Sequence, residues 1–149
     1  MEKYFKELDV SAWSRKTIIL DIDGTITADG GSDLDPLVAK KIEEMATANS
    51  IFLFSNKHLP DRDNDIANKT HIPLLISSFK KPNKKVIKNL PDQLKTNLLV
   101  IGDKILIDGL FAKKIGADFI KVKRLTSQSD SLKVKLIYIL DDFAKHFIG

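Results

Sequence analysis

Eight residues constrain the fold more than any others: Ile18-Ile19-Leu20-Asp21-Ile22-Asp23-Gly24-Thr25. Three apolar β-formers run into two aspartates spaced two apart, then Gly and Thr. Such a run reads as a buried strand that ends at Asp21. A carboxylate at the C-terminal end of a parallel strand sits where open α/β sheets bind ligands. In an ideal strand, side chains two apart share a face, so Asp21 and Asp23 are expected to point into one small site. Gly24 lets the backbone turn sharply and approach a ligand. Two carboxylates this close repel unless a cation lies between them or one takes a proton. A hard divalent ion such as Mg²⁺ suits those oxygen ligands.

The rest of the chain repeats this plan. Strands are expected at Thr17–Asp21, Ile51–Phe54, Pro73–Ile76, Asn97–Ile101 and Asp118–Val122. Helices are expected between them. One is capped by Ser32 or Asp33 with Pro36 in its first turn. Others span Asp61–Lys69, Lys80–Asn89 and Ile105–Ile115, the last closed by Gly116. Strands alternating with helices predict an α/β, three-layer, Rossmann-like domain with a mainly parallel, five-stranded sheet. Residues 1–149 read as a single domain, with 1–16 as a lead-in segment. A C-terminal amphipathic helix is expected over 131–147. Leu132, Leu136, Ile139, Leu140, Phe143 and Phe147 line one side of it, suited to the sheet, a second copy or a membrane surface.

The residue inventory excludes several chemistries. The chain has no cysteine, so disulfides and thiol catalysis are out. His58, His71 and His146 show no metal-ligand spacing. No apolar run has the length of a membrane span, and the N-terminal residues lack a signal peptide's apolar core, so the expected compartment is the cytoplasm. Charge is uneven. Residues 1–65 hold 8 Lys/Arg against 13 Asp/Glu, whereas residues 80–124 hold 12 against 4. The second segment favours anionic partners: phosphates, acidic lipid surfaces or nucleic acid. No feature selects nucleic acid among them.

Four strand ends carry polar groups: Asp21/Asp23, Ser55/Asn56, Lys80/Lys81, and Asp103 with Asp108. In a parallel sheet these lie on one edge. Carboxylates, a hydroxyl and an ammonium gathered there suit phosphoryl transfer. A carboxylate attacks phosphorus, a metal ion neutralises the transferring charge, and a lysine and hydroxyl hold its oxygens.

Asp-Ile-Asp-Gly-Thr, then Ser-Asn, then Lys-Pro, then Gly-Asp-Lys-Ile-Leu-Ile-Asp, in this order over residues 17–122, resembles the haloacid dehalogenase (HAD) superfamily of aspartate-nucleophile phosphatases. The resemblance implies Asp21 as nucleophile and Asp23 as general acid/base. It implies Asp21, the main-chain carbonyl of Asp23 and Asp103 as Mg²⁺ ligands. Ser55 and Asn56 would bind the phosphoryl group together with Lys81, for which Lys80 is the rival. Thr25 would fix the turn, and Asp108 would orient the lysine or support the metal.

Only 29 residues separate Thr25 from Ser55, and 25 separate Ser55 from Lys81. That length is used by the expected helices, so no cap domain is predicted and the site is expected to be open. Within the superfamily the motifs look most like the subgroup containing phosphatidylglycerophosphate phosphatases, although Asp-Gly-Thr stands where that subgroup has Asp-Asn-Thr. The implied substrate is a phosphorylated one, a lipid phosphate or another large anion, met at an anionic membrane surface. Residues 21–30 are similar to those of capless sugar-acid phosphatases, which act as homo-oligomers. A phospho-accepting receiver or a binding module is the remaining alternative, but a receiver lacks an aspartate at the position of Asp23.

Overall fold

The computed structural model describes residues 2–126 and 132–148, with side chains described for 2–126 and 135–145. Four strands form one parallel sheet: β1 (Thr17–Asp21), β2 (Ser50–Phe54), β3 (Leu98–Gly102) and β4 (Asp118–Lys121), in the order β2-β1-β3-β4. Thr17 is level with Ser50 on one side and Leu98 on the other, so β1, β2 and β3 run in step. Asp21, Ser55 and Asp103 therefore emerge at one edge of the sheet.

Alternation along β1 divides the core into two layers. Ile18 and Leu20 pack with Val38, Ile42 and Met45 of α1 (Pro36–Ala46) and Ile66 of α2 (Pro60–Thr70). Ile19 packs on the opposite side with Phe54, Val86, Val100 and Phe111. All residues of β1 and β3 are buried, as a sheet covered on both faces requires. The lead-in segment contributes Phe5 and Val10 to the α1 layer.

The structure corrects several expectations. Pro73–Ile76 is not a strand, and the sheet has four strands instead of five. Only one bridge forms there, with Leu53 N–H donating to Pro73 O at 2.9 Å and Leu75 N–H to Leu53 O at 2.8 Å. Pro73 has no N–H for a ladder, and Ile76 already projects into solvent. The α1 cap is Asp35, neither Ser32 nor Asp33; its carboxylate accepts from Leu37 N–H at 2.8 Å. The helix expected at Lys80–Asn89 is one 3₁₀ turn, Lys84–Ile87. The helix expected from Ile105 begins as a wide π turn, Ile105–Gly109, which leads into α3 (Leu110–Ile115).

The last helix, α4 (Leu132–Ile148), docks through buried Tyr138 and Asp141. Leu136, Ile139, Leu140 and Phe143 are exposed. The expected helix start at Ser131 and the side chains of Leu132 and Phe147 lie outside what is described. Residues 26–54 and 56–80 hold α1, β2 and α2 with their loops, and no cap domain is inserted in either stretch.

Candidate active site

The polar strand ends converge on a cleft of about 450 Å³, lined by Asp21, Asp23, Ser55, Lys81, Lys104 and Asp108 among others. Asp21 closes β1. The chain then turns over Gly24, whose φ is 79°. A side chain there would collide with the Asp103 carboxylate. Gly102 has the same duty toward Asp108, since a Cβ at 102 would overlap that carboxyl group. Two glycines thus permit two buried carboxylates to lie against backbone.

Asp21, Asp103 and Asp108 are buried and offer oxygens within 4.8 Å of one another. Lysines offset the repulsion. Lys81 Nζ lies 3.0 Å from Asp21 Oδ1 and 2.6 Å from Asp108 Oδ1. Burial works against its charge, but Asp108 and Asp21 together raise its pKa. Lys104 Nζ lies 3.3 Å from Asp103 Oδ1, and its pKa is likewise raised against burial by the carboxylates around it. Burial pushes Asp103 well above the usual carboxylate range; Asp21 and Asp108 add to the rise and Lys104 opposes it. Burial, then the charge of Asp21, also raises Asp108. Asp103 Oδ2 is buried without a hydrogen-bond donor. A divalent cation fits this oxygen set: three converging carboxylates, one with a spare buried oxygen.

Thr25 Oγ1 donates to Asp21 Oδ2 at 2.9 Å, binding the turn to the strand end. Asn56 spends both ends of its amide on the Lys81 backbone, each at 2.8 Å. It therefore shapes the segment that delivers Lys81 while it lines the cleft. Lys80, the rival lysine, is exposed at the rim.

Asp23 is placed differently from Asp21. Its carboxylate lines the same cleft but is not one of the three clustered aspartates, and it accepts four donors. Gly30 N–H and Arg62 Nη1 reach Oδ1, both at 2.6 Å. Arg62 Nη2 reaches Oδ2 at 2.9 Å, and Ser55 Oγ also donates there. Burial alone would raise the Asp23 pKa, but Arg62, Ser55 and Gly30 hold it below the ordinary value.

A family model described as mitochondrial PGP phosphatase matches residues 3–125. The chain belongs to this family. No curated protein matches it at a significant level. Among solved structures, it is similar to the HAD-hydrolase YfnB from Bacillus subtilis, determined bound to magnesium. The TM-score is 0.59 at 12% identity, over 85% of this chain and 100% of that one. That likeness shows the fold, and the family match makes the protein a HAD-type phosphatase.

Sequence reasoning missed three parts of this phosphatase. Arg62 lies in the first turn of α2, where a lone cation reads as a solvated helix residue. Lys104 stands inside the Gly-Asp-Lys motif but has no assigned role there. Asp141, on α4, accepts from Ile105 N–H at 3.1 Å and Leu106 N–H at 2.8 Å, tying the last helix to the turn that follows Asp103. No local signal connects residues 36 apart. The basic segment 80–124 also divides: Lys80, Lys84 and Lys114 share a groove beside the cleft, whereas Lys121 pairs with Glu2 and Arg124 with Asp142.

Proposed function

We propose that the protein is an Mg²⁺-dependent phosphomonoesterase working through a phosphoaspartate on Asp21. The observation that carries this is the Asp21–Lys81–Asp108 triad beside Asp103, buried at the cleft floor. Asp21 attacks phosphorus and forms an acyl phosphate as the P–O bond to the leaving alcohol breaks. Asp23, ionised beside Arg62 before substrate binds, takes up a solvent proton as substrate enters and gives it to that oxygen, then takes one from the water that hydrolyses the acyl phosphate. Lys81, 3.0 Å from Asp21 Oδ1, orients the nucleophile and faces the charge of the incoming phosphoryl group. Ser55 turns its O–H to a phosphoryl oxygen. Asp21 and Asp103, with the Asp23 main-chain carbonyl and Asp108 beside them, would hold Mg²⁺. The ion supplies charge neutralisation for the transferring group.

The finer reading is a lipid phosphate met at a membrane surface. The family's description supports it. So do the exposed Leu136, Ile139 and Leu140 on α4, the helix whose Ile137 forms one wall of the cleft. The basic rim of Lys57, Lys80, Lys84 and Lys114 suits an anionic surface. No helix among the described residues is long and apolar enough to cross a membrane, so the proposed association is peripheral, from an aqueous compartment. The test of the phosphatase reading is p-nitrophenyl phosphate turnover. Chelator abolishes it and Mg²⁺ restores it; full activity in excess chelator rules the reading out.

A further inference from the structure

Asp23 has to present one carboxylate oxygen beside Asp21, first to a leaving group and then to water. Asp23 lies two residues beyond the end of β1, in a turn whose backbone is held by a single bridge to Thr27. Four donors hold it in the described arrangement, and they are not equivalent. Ser55 Oγ is required by the incoming phosphoryl group, so its bond to Asp23 lapses when substrate arrives. Gly30 N–H belongs to a loop. Arg62 is left as the charged anchor.

The guanidinium is built for that duty. Its side chain is 6% exposed, as is that of Asp23. Nη1 and Nη2 bind the two Asp23 oxygens side by side, a planar fork that fixes orientation as well as distance. Nε donates to Asp63 Oδ1 at 2.8 Å and Nη1 also to Gly31 O at 3.2 Å, so the fork is itself immobilised. Asp63 Oδ2 in turn accepts from Leu59 N–H at the start of α2. A chain of contacts thus runs from the first turn of α2 to Asp23.

We propose that Arg62 is the positioning residue for Asp23: braced by Asp63 and Gly31, it holds the carboxylate in place while Ser55 transfers its O–H from Asp23 to the phosphoryl group. This rests on the reading of Asp23 as acid/base. Arg62 does not touch the reacting atoms; it acts through Asp23. Lysine cannot replace it, because one ammonium lacks the fork and cannot also reach Asp63.

The test is steady-state kinetics on p-nitrophenyl phosphate with Mg²⁺, for Arg62→Lys, Asp23→Asn and the double variant. Arg62→Lys should lower kcat by about 10²-fold, the cost of a misplaced group, with KM nearly unchanged. In the Asp23→Asn background the same change should cost no more than about twofold, because the two act as one unit. Wild-type kcat in Arg62→Lys overturns the proposal, and so does a full second loss in the double variant. If Asp23→Asn alone turns over normally, the acid/base reading fails and the Arg62 proposal falls with it, an outcome distinct from the other two. Should Arg62→Lys not fold, Asp63→Ala decides: it loosens the brace and should lower kcat without raising KM, and unchanged kcat overturns the proposal.

Discussion

Asp21 and Asp23 are two residues apart and have opposite surroundings. Asp21 faces two other carboxylates and the Lys81 ammonium. Asp23 faces a guanidinium, a hydroxyl and a backbone N–H. Both line one cleft, as side chains two apart on a strand are expected to, yet their partners differ, and with that difference comes the division of roles. Asp21→Asn keeps the shape and removes the nucleophile's charge, so turnover should fall to background while the far-ultraviolet circular dichroism spectrum stays unchanged. Asp23→Asn should slow turnover by about 10²–10⁴-fold. The loss should be greater on an alkyl phosphate than on p-nitrophenyl phosphate, whose phenolate leaves without a proton; equal losses would mean that Asp23 does not serve the leaving group. Lys81→Met strips the counter-charge from two buried carboxylates, a change that costs about 3–5 kcal/mol when a buried pair loses one partner. Without metal its melting temperature should drop sharply, measured by calorimetry.

Elements place these residues, and the C-terminal helix does more placing than its sequence suggests. Asp141 of α4 caps two N–H groups of the π turn that follows Asp103. Arg124 stacks on Tyr138 at 4.3 Å and pairs with Asp142 at 2.7 Å, closing the same corner. Asp141→Ala leaves two N–H groups without their acceptor, at about 1–3 kcal/mol for each one that stays buried and unpaired. The variant should melt earlier and release α4 to limited proteolysis; an unchanged cleavage pattern would show that the cap is not what docks the helix. The strand ends were legible because buried parallel strands are continuous apolar runs, and the polar residue that stops each run is the one at the site. The edge bridge at Leu74 was not, because three apolar residues behind a proline look the same whether or not a ladder forms. Arg62 and Asp141 escaped for another reason: each acts through tertiary contacts 35 to 40 residues away, which leave no mark on local periodicity.

At the scale of the molecule, the buried carboxylates couple folding to pH and metal. Asp103 and Asp108 hold raised pKa values in the fold. The stability they contribute is fully present below their unfolded value near 3.9 and is lost as pH rises through the raised folded values. Asp23 has the opposite sign: its pKa is depressed, so its contribution is present above about 3.9 and lost as pH falls through the lowered value. In chelator the melting temperature should therefore climb as pH falls through the raised values of Asp103 and Asp108, then fall in acid strong enough to protonate Asp23. Saturating Mg²⁺ favours the ionised cluster, so it should flatten the climb; a slope indifferent to Mg²⁺ would place the ion elsewhere. The same molecule also has to bring its cleft to a large anion without a cap. Leu136, Ile139 and Leu140 are i, i+3 and i+4 on α4, so they form one exposed patch beside the wall that Ile137 contributes. An apolar contact of acyl-chain size binds a bilayer only marginally, so the basic rim has to assist. Sedimentation with vesicles containing acidic lipid should show binding at low salt that weakens as the Debye length shrinks to about 10 Å at 0.1 M. Replacing all three residues by serine should abolish binding and spare turnover of p-nitrophenyl phosphate. If the triple variant still sediments with vesicles, the patch is not the membrane contact. If the parent protein ignores vesicles and light scattering gives a dimer that the triple variant loses, the patch is a homo-oligomer interface and the lipid-surface reading is wrong.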